Sequence, residues 1–123
     1  MAYNIILTGT KTFDNYRLFE RKCNKHLAAF LQDSDSDEIT ILTGNDGFAE
    51  KMAQRYASEN GFNLTVYQFN EDNDVFERNS RLVADADAAI CFWNGRSNGV
   101  KTTIALCNKY DIDCKIIKVK TTK

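Results

Sequence analysis

Proline is absent from this chain of 123 residues, and histidine and tryptophan occur once each. The missing proline is unusual but decides nothing about the fold. The single histidine excludes more. His26 stands beside Leu27 in a helical pattern, away from every glycine-bearing turn, which removes any Ser-His or Cys-His nucleophile arrangement. Its expected role is packing or surface exposure. The four cysteines, Cys23, Cys91, Cys107 and Cys114, form no CxxC pair, and with one histidine they argue against a structural zinc site. They read as buried free thiols of a reducing compartment. An excess of one charge is missing too: 16 Lys and Arg face 17 Asp and Glu, for a net charge of -1. That removes the general electrostatic case for nucleic-acid binding. Lys115, Lys118, Lys120 and Lys123 crowd the C-terminus and read as a solvated tail. No apolar run approaches the roughly 18 residues of a membrane span. Met1-Ala2-Tyr3-Asn4 leads directly into a strand-like run, leaving no signal peptide to discount. The expectations are therefore no membrane, no nucleic acid, no metal and a cytoplasmic location.

What is present is an alternation. Strand-like runs rich in isoleucine, leucine, valine and aromatics fall at Tyr3–Thr8, Glu38–Thr43, Asn63–Phe69, Ala88–Trp93 and Lys115–Val119. The first is apolar without strict alternation, which suits a parallel sheet covered on both faces. Between the runs, Tyr16, Phe19, Cys23, Leu27 and Phe30 repeat at helical spacing, as do Phe48, Met52 and Tyr56, and again Val100, Ile104 and Cys107. A shorter helix is expected to carry Leu82, Val83 and Ala86. Asp14 is the expected cap of the first helix, and Gly61 stands where the second should stop. This predicts one α/β domain over residues 1–123: a mostly parallel five-stranded sheet, helices on both faces, right-handed crossovers. The acidic stretches at 33–38 and 70–74 read as exposed loops; the first lacks the glycine and terminal glutamate of a calcium loop.

Three turns carry the chemistry, each at the carboxyl end of an expected strand, where ligands bind in open α/β sheets. In the first, Gly9 allows close backbone approach, Thr10 offers a hydroxyl and Lys11 can neutralise a phosphate. It is neither a Walker A loop nor a dinucleotide fingerprint, since both spacings are missing. In the second, Gly44 and Gly47 bracket Asn45 and Asp46, whose side chains suit ribose hydroxyls. Glu50 follows one turn into the next helix, as a ligand contact or as a complement to the helix dipole. In the third, Trp93 ends the strand and Asn94-Gly95-Arg96-Ser97-Asn98-Gly99 leads into Lys101. Trp93 is either a base-stacking platform or a core residue, and Ser97 or Asn98 can cap the last helix while touching a ligand. Upstream, Arg78-Asn79 opens the third helix; Arg78 suits a phosphate or a carboxylate such as Glu50.

The sequence resembles the SLOG superfamily, in its small YspA-like branch. The resemblance lies in GTKTF at Gly9–Phe13, TGNDGFAEKMAQRYA at Thr43–Ala57, ERNSRLVADADAAICFWNG at Glu77–Gly95 and RSNGVKTTI at Arg96–Ile104, and covers nearly the whole chain. It implies a Rossmann-like domain binding a nucleotide or nucleotide-derived ligand, with Gly9, Thr10, Arg78, Asn79, Asn94, Gly95, Ser97, Gly99 and Lys101 in the pocket. It also implies that a homodimer is to be expected, because members often associate through helices. Two departures stand out. Where the family reads paired glycines and then Gly-Ala-Asp, this chain has Gly44-Asn45 and then Phe48-Ala49-Glu50. Where the related LOG phosphoribohydrolases carry PGGxGTxxE, this chain has Val100 for the threonine and Thr103 for the glutamate. Losing that carboxylate argues against nucleotide-monophosphate hydrolysis. The leading expectation is a non-catalytic sensor or sequestering domain without a cofactor. A hydrolase using Glu50 or Asp46, and an interaction module that has lost its ligand, stand as alternatives.

Overall fold

Ile5, Ile6 and Leu7 are all fully buried. Neighbouring strand residues point to opposite faces, so this strand must be covered on both sides. The computed structural model, which describes residues 2–32, 34, 38–45, 47–68 and 75–121, shows how. Five strands, β1 (Ala2–Gly9), β2 (Glu38–Gly44), β3 (Asn63–Tyr67), β4 (Ala88–Trp93) and β5 (Asp113–Lys118), alternate with four helices, α1 (Tyr16–Leu31), α2 (Phe48–Asn60), α3 (Val75–Asp85) and α4 (Asn98–Lys109). The strands are all parallel, in the order β3-β2-β1-β4-β5. The expected α/β, Rossmann-like architecture is the one found.

Side-chain alternation sorts the core into two layers. Ile5, Leu7, Ile41, Ile90 and Phe92 face α1 and α2, meeting Phe19, Cys23, Leu27, Met52 and Tyr56. Ile6, Leu42, Ala89 and Cys91 face α3 and α4, meeting Leu82, Val83, Val100, Leu106 and Cys107. Phe19 anchors the first layer: its ring stacks on Phe92 at 4.7 Å between centroids and meets Tyr56 edge-on at 6.2 Å. Aromatic pairs of this kind contribute about 0.5–1.5 kcal/mol beyond the area they bury.

Local signals fixed most element ends. Gly61 adopts φ 68° and closes α2, as expected of a glycine that has no Cβ to clash. The cap of α1 is Asn15 rather than Asp14. Asn15 has the extended backbone a cap requires, and its side-chain oxygen accepts the Leu18 N–H at 3.1 Å. β5 starts earlier than expected, at Asp113; Val119 lies just past its end, donating its N–H to the Trp93 carbonyl at 3.0 Å. β3 ends at Tyr67, and Phe69 lies outside the described residues. The cysteines are free thiols, with Cys23, Cys91 and Cys107 buried and Cys114 partly so. His26 is half-buried on α1. Among the described residues no helix is long and apolar enough to cross a membrane, and no cluster of His, Cys, Asp or Glu could hold a metal ion.

Candidate functional site

The strand order reverses between β1 and β4: from β1 the chain winds outward one way to β2 and β3, and from β4 the other way to β5. Open α/β sheets bind ligands in the crevice above such a switch point, at the carboxyl ends of the strands. A cavity of about 260 Å³ lies there. Thr8 and Gly9, from the end of β1, line it with Lys11; Glu50 enters from α2 and Arg78 from α3. Ser97, Asn98, Gly99 and Val100, the start of α4, complete it with Thr103.

Glu50 and Arg78 form its charged pair. Their side chains are only 3% and 7% exposed, and Arg78 Nη1 lies 3.8 Å from Glu50 Oε1. That separation is an electrostatic contact and too long for a hydrogen bond. Glu50 is held from below: its Oε2 accepts the Gly44 N–H and the Thr8 hydroxyl, each at 3.1 Å. Gly44 is glycine because a Cβ there would come within 2.5 Å of Glu50 Oε2 and 2.8 Å of Arg78 Nη1. Arg78 donates from Nη2 to Asn79 Oδ1 at 3.4 Å, whereas its buried Nε and Nη1 have no hydrogen-bond partner among the described residues. Buried donors left unpaired cost about 1–3 kcal/mol each, more when charged. Such a guanidinium is suited to an acceptor supplied from outside the chain.

The start of α4 supplies further donors. Ser97 occupies the cap position with extended backbone, yet its side chain makes no capping hydrogen bond. Ser97 therefore does not supply the usual cap acceptor to the first N–H groups of the helix, which sit at the positive end of the helix dipole, the arrangement that binds anions. Asn79 ties this end in place by donating to the Gly99 carbonyl at 3.1 Å, and Thr103 Oγ1 donates to the same carbonyl at 3.2 Å.

The turns expected to form a pocket are thus used unequally. Gly9, Lys11, Glu50, Arg78, Ser97, Asn98 and Gly99 line the cavity together. Gly44 and Asn79 support it from behind. Asn94 mainly builds its own loop: its Oδ1 accepts the Arg96 and Ser97 N–H groups at 2.9 and 3.0 Å, and its N–H donates to Thr10 Oγ1 at 3.1 Å. Trp93 donates its indole N–H to the Ser97 carbonyl at 3.0 Å, outside the cavity, in a separate depression with Gly95. Lys101 lies on the exposed side of α4 beside Thr102 and Ala105. Asn45 is exposed, and Asp46 lies outside the described residues.

Sequence reasoning left Thr8, Val100 and Thr103 out of the site. A findable signal existed for Thr8, which directly precedes Gly9, and for Thr103, one helical turn after Gly99. Two of the turns also pack on each other: the Phe48 N–H donates to the Lys11 carbonyl at 2.9 Å, and a Cβ on Gly47 would come within 2.7 Å of Lys11 Cα. No protein-family model matches the chain, and no curated protein is similar to it at a significant level.

Proposed function

We propose that this chain binds a phosphate-bearing, nucleotide-derived small molecule in the cavity above β1 and β4, as a sensor or sequestering protein. The observation that carries this reading is the buried Arg78 guanidinium, with Nε and Nη1 unpartnered among the described residues, beside the start of α4, where Ser97 makes no side-chain cap. A phosphate there receives two kinds of donor at once, a guanidinium fork and helix N–H groups. Lys11 adds positive charge at the rim. The position at the switch point and the SLOG-like motifs agree with it. Thr103, where LOG enzymes carry their glutamate, presents a hydroxyl bonded to the Gly99 carbonyl, so α4 brings no carboxylate to the ligand. Calorimetric titration with inorganic phosphate and nucleoside monophosphates tests the proposal. Binding that Arg78→Gln weakens at least tenfold supports it; folded protein that binds none of them sinks it.

One observation favours a second reading. Glu50 lines the same cavity as Arg78, so a carboxylate is available from α2 for hydrolysis of the bound nucleotide. Chromatography of nucleotides after incubation separates the two. Intact ligand supports holding; products whose formation Glu50→Gln abolishes support turnover.

A further inference from the structure

Glu50 is an unexpected neighbour for an anion. The cavity gathers Arg78 and the start of α4 as donors, yet the same lining carries a carboxylate, the one acid among the described residues there. The Glu50 side chain is 3% exposed, so its charge is poorly screened by water. It is also held in place. Its Oε2 accepts the Gly44 N–H and the Thr8 hydroxyl, and the close approach of Gly44 backs it from behind. A carboxylate has about four acceptor positions, so these two bonds do not exhaust it. Its Oε1 lies 3.8 Å from Arg78 Nη1. A tetrahedral anion that touches the guanidinium with one oxygen therefore brings another against the carboxylate.

Resting on the anion-binding reading above, we infer that Glu50 makes the cavity selective for an oxyanion that carries its own proton, which admits phosphate and refuses sulfate. The two anions match in shape, and Arg78, Lys11 and the helix N–H groups attract both. They differ in the oxygen that meets Glu50. Inorganic phosphate keeps at least one proton near neutral pH, and its P–OH donates to the carboxylate. A phosphomonoester, with its second ionisation near pH 6, takes a proton up at about a tenfold cost in affinity at pH 7. Sulfate has no proton to offer, so like charges face each other in a water-poor cavity. The carboxylate thus contributes by penalising the wrong anion, while Arg78 supplies the attraction.

Calorimetry on the full chain at neutral pH, with phosphate, sulfate and monofluorophosphate, tests this. Monofluorophosphate has the charge of hydrogen phosphate but fluorine in place of the hydroxyl. Phosphate is expected to bind at least tenfold more tightly than either of the others. In Glu50→Gln the amide oxygen can stay with Thr8 and Gly44 while its N–H groups turn to the cavity, a donor that sulfate can use. Sulfate should then gain far more than phosphate, and the ratio should fall close to one. Equal affinities in the wild type overturn the inference, as does a folded Glu50→Gln variant that keeps the full preference. Should that variant not fold, monofluorophosphate decides: binding as tight as that of phosphate refutes the proton's role. If all three anions bind equally and Arg78→Gln weakens them all, the anion site stands and only the selectivity fails. If folded protein binds none of them, the anion site fails and the inference with it.

Discussion

Glu50 and Arg78, from different helices, are buried side by side at 3.8 Å, close enough to offset each other's charge and too far apart to satisfy each other's hydrogen bonds. Glu50 has its partners in Thr8 and Gly44, while Arg78 Nε and Nη1 have none among the described residues. The pair keeps a cation buried without a full complement of acceptors. An anion entering the cavity gains Arg78 but meets the Glu50 carboxylate as well. Affinity there is a balance between the two.

That balance predicts opposite effects of Glu50→Gln on stability and on binding. The amide can keep an acceptor toward Thr8 and Gly44 but leaves Arg78 without its counter-charge. Stability should fall by about 2 kcal/mol, somewhat less than the loss on breaking a fully formed buried pair. Inorganic phosphate should bind about fivefold more tightly, because a like charge has gone. Urea denaturation and calorimetry check the two arms; weaker phosphate binding would refute the balance.

Gly44→Ala should damage the site from beneath. The new Cβ meets both members of the charged pair, so one must move, at a cost of about 1–3 kcal/mol. Anion binding should weaken with it. Gly61→Ala is the control: it meets nothing within 4 Å but sits at φ 68°, and should cost about 1 kcal/mol while leaving binding intact. Equal binding by both variants would show that Gly44 does not support the pair.

The start of α1 offers a test at adjacent positions. Asn15→Ala removes the acceptor of the Leu18 N–H and should destabilise the protein by about 1 kcal/mol. Asp14→Ala, an exposed neighbour outside the cap, should stay within about 0.5 kcal/mol of the wild type. Denaturation midpoints compared at constant m-value decide it.

The thiols should be sluggish. For Cys114 the hydrogen bond from Cys107 pulls the thiol down, but the Cys91 hydrogen bond and burial outweigh it and leave it pushed up to about 12. Burial raises Cys23, and the hydrogen bond to Cys114 raises Cys107. Since the thiolate is the nucleophile, labelling by an aromatic disulfide reagent at pH 8 should be slow in the native protein. Unfolding in guanidinium should release all four thiols to fast reaction. A fast-reacting native thiol would contradict the packing around β4, α4 and β5.

Much of this molecule was settled by local pattern. The apolar run Ile5-Ile6-Leu7 demands cover on both faces wherever the strand lies. The spacing of Phe19, Cys23 and Leu27 demands a helix with one buried side, and Gly61 ends its helix because only glycine enters that backbone region without strain. Other features follow from which segments meet. Asp14 and Asn15 are both competent caps, and the backbone angles of the finished turn chose between them. Trp93 looked equally suited to a ligand or to packing; the loop it closes claims its N–H. No spacing rule places Arg78 against Glu50, because they lie on different helices and meet only once α2 and α3 have packed on opposite faces of the sheet. The sequence by itself determined the elements and their alternation, since these depend on residues a few positions apart. The cavity, with a guanidinium at the switch point that is left short of acceptors among the described residues, was decided by strand order, which brings the end of β1 beside β4 and the start of α4, and by the packing of α2 and α3 on the two faces.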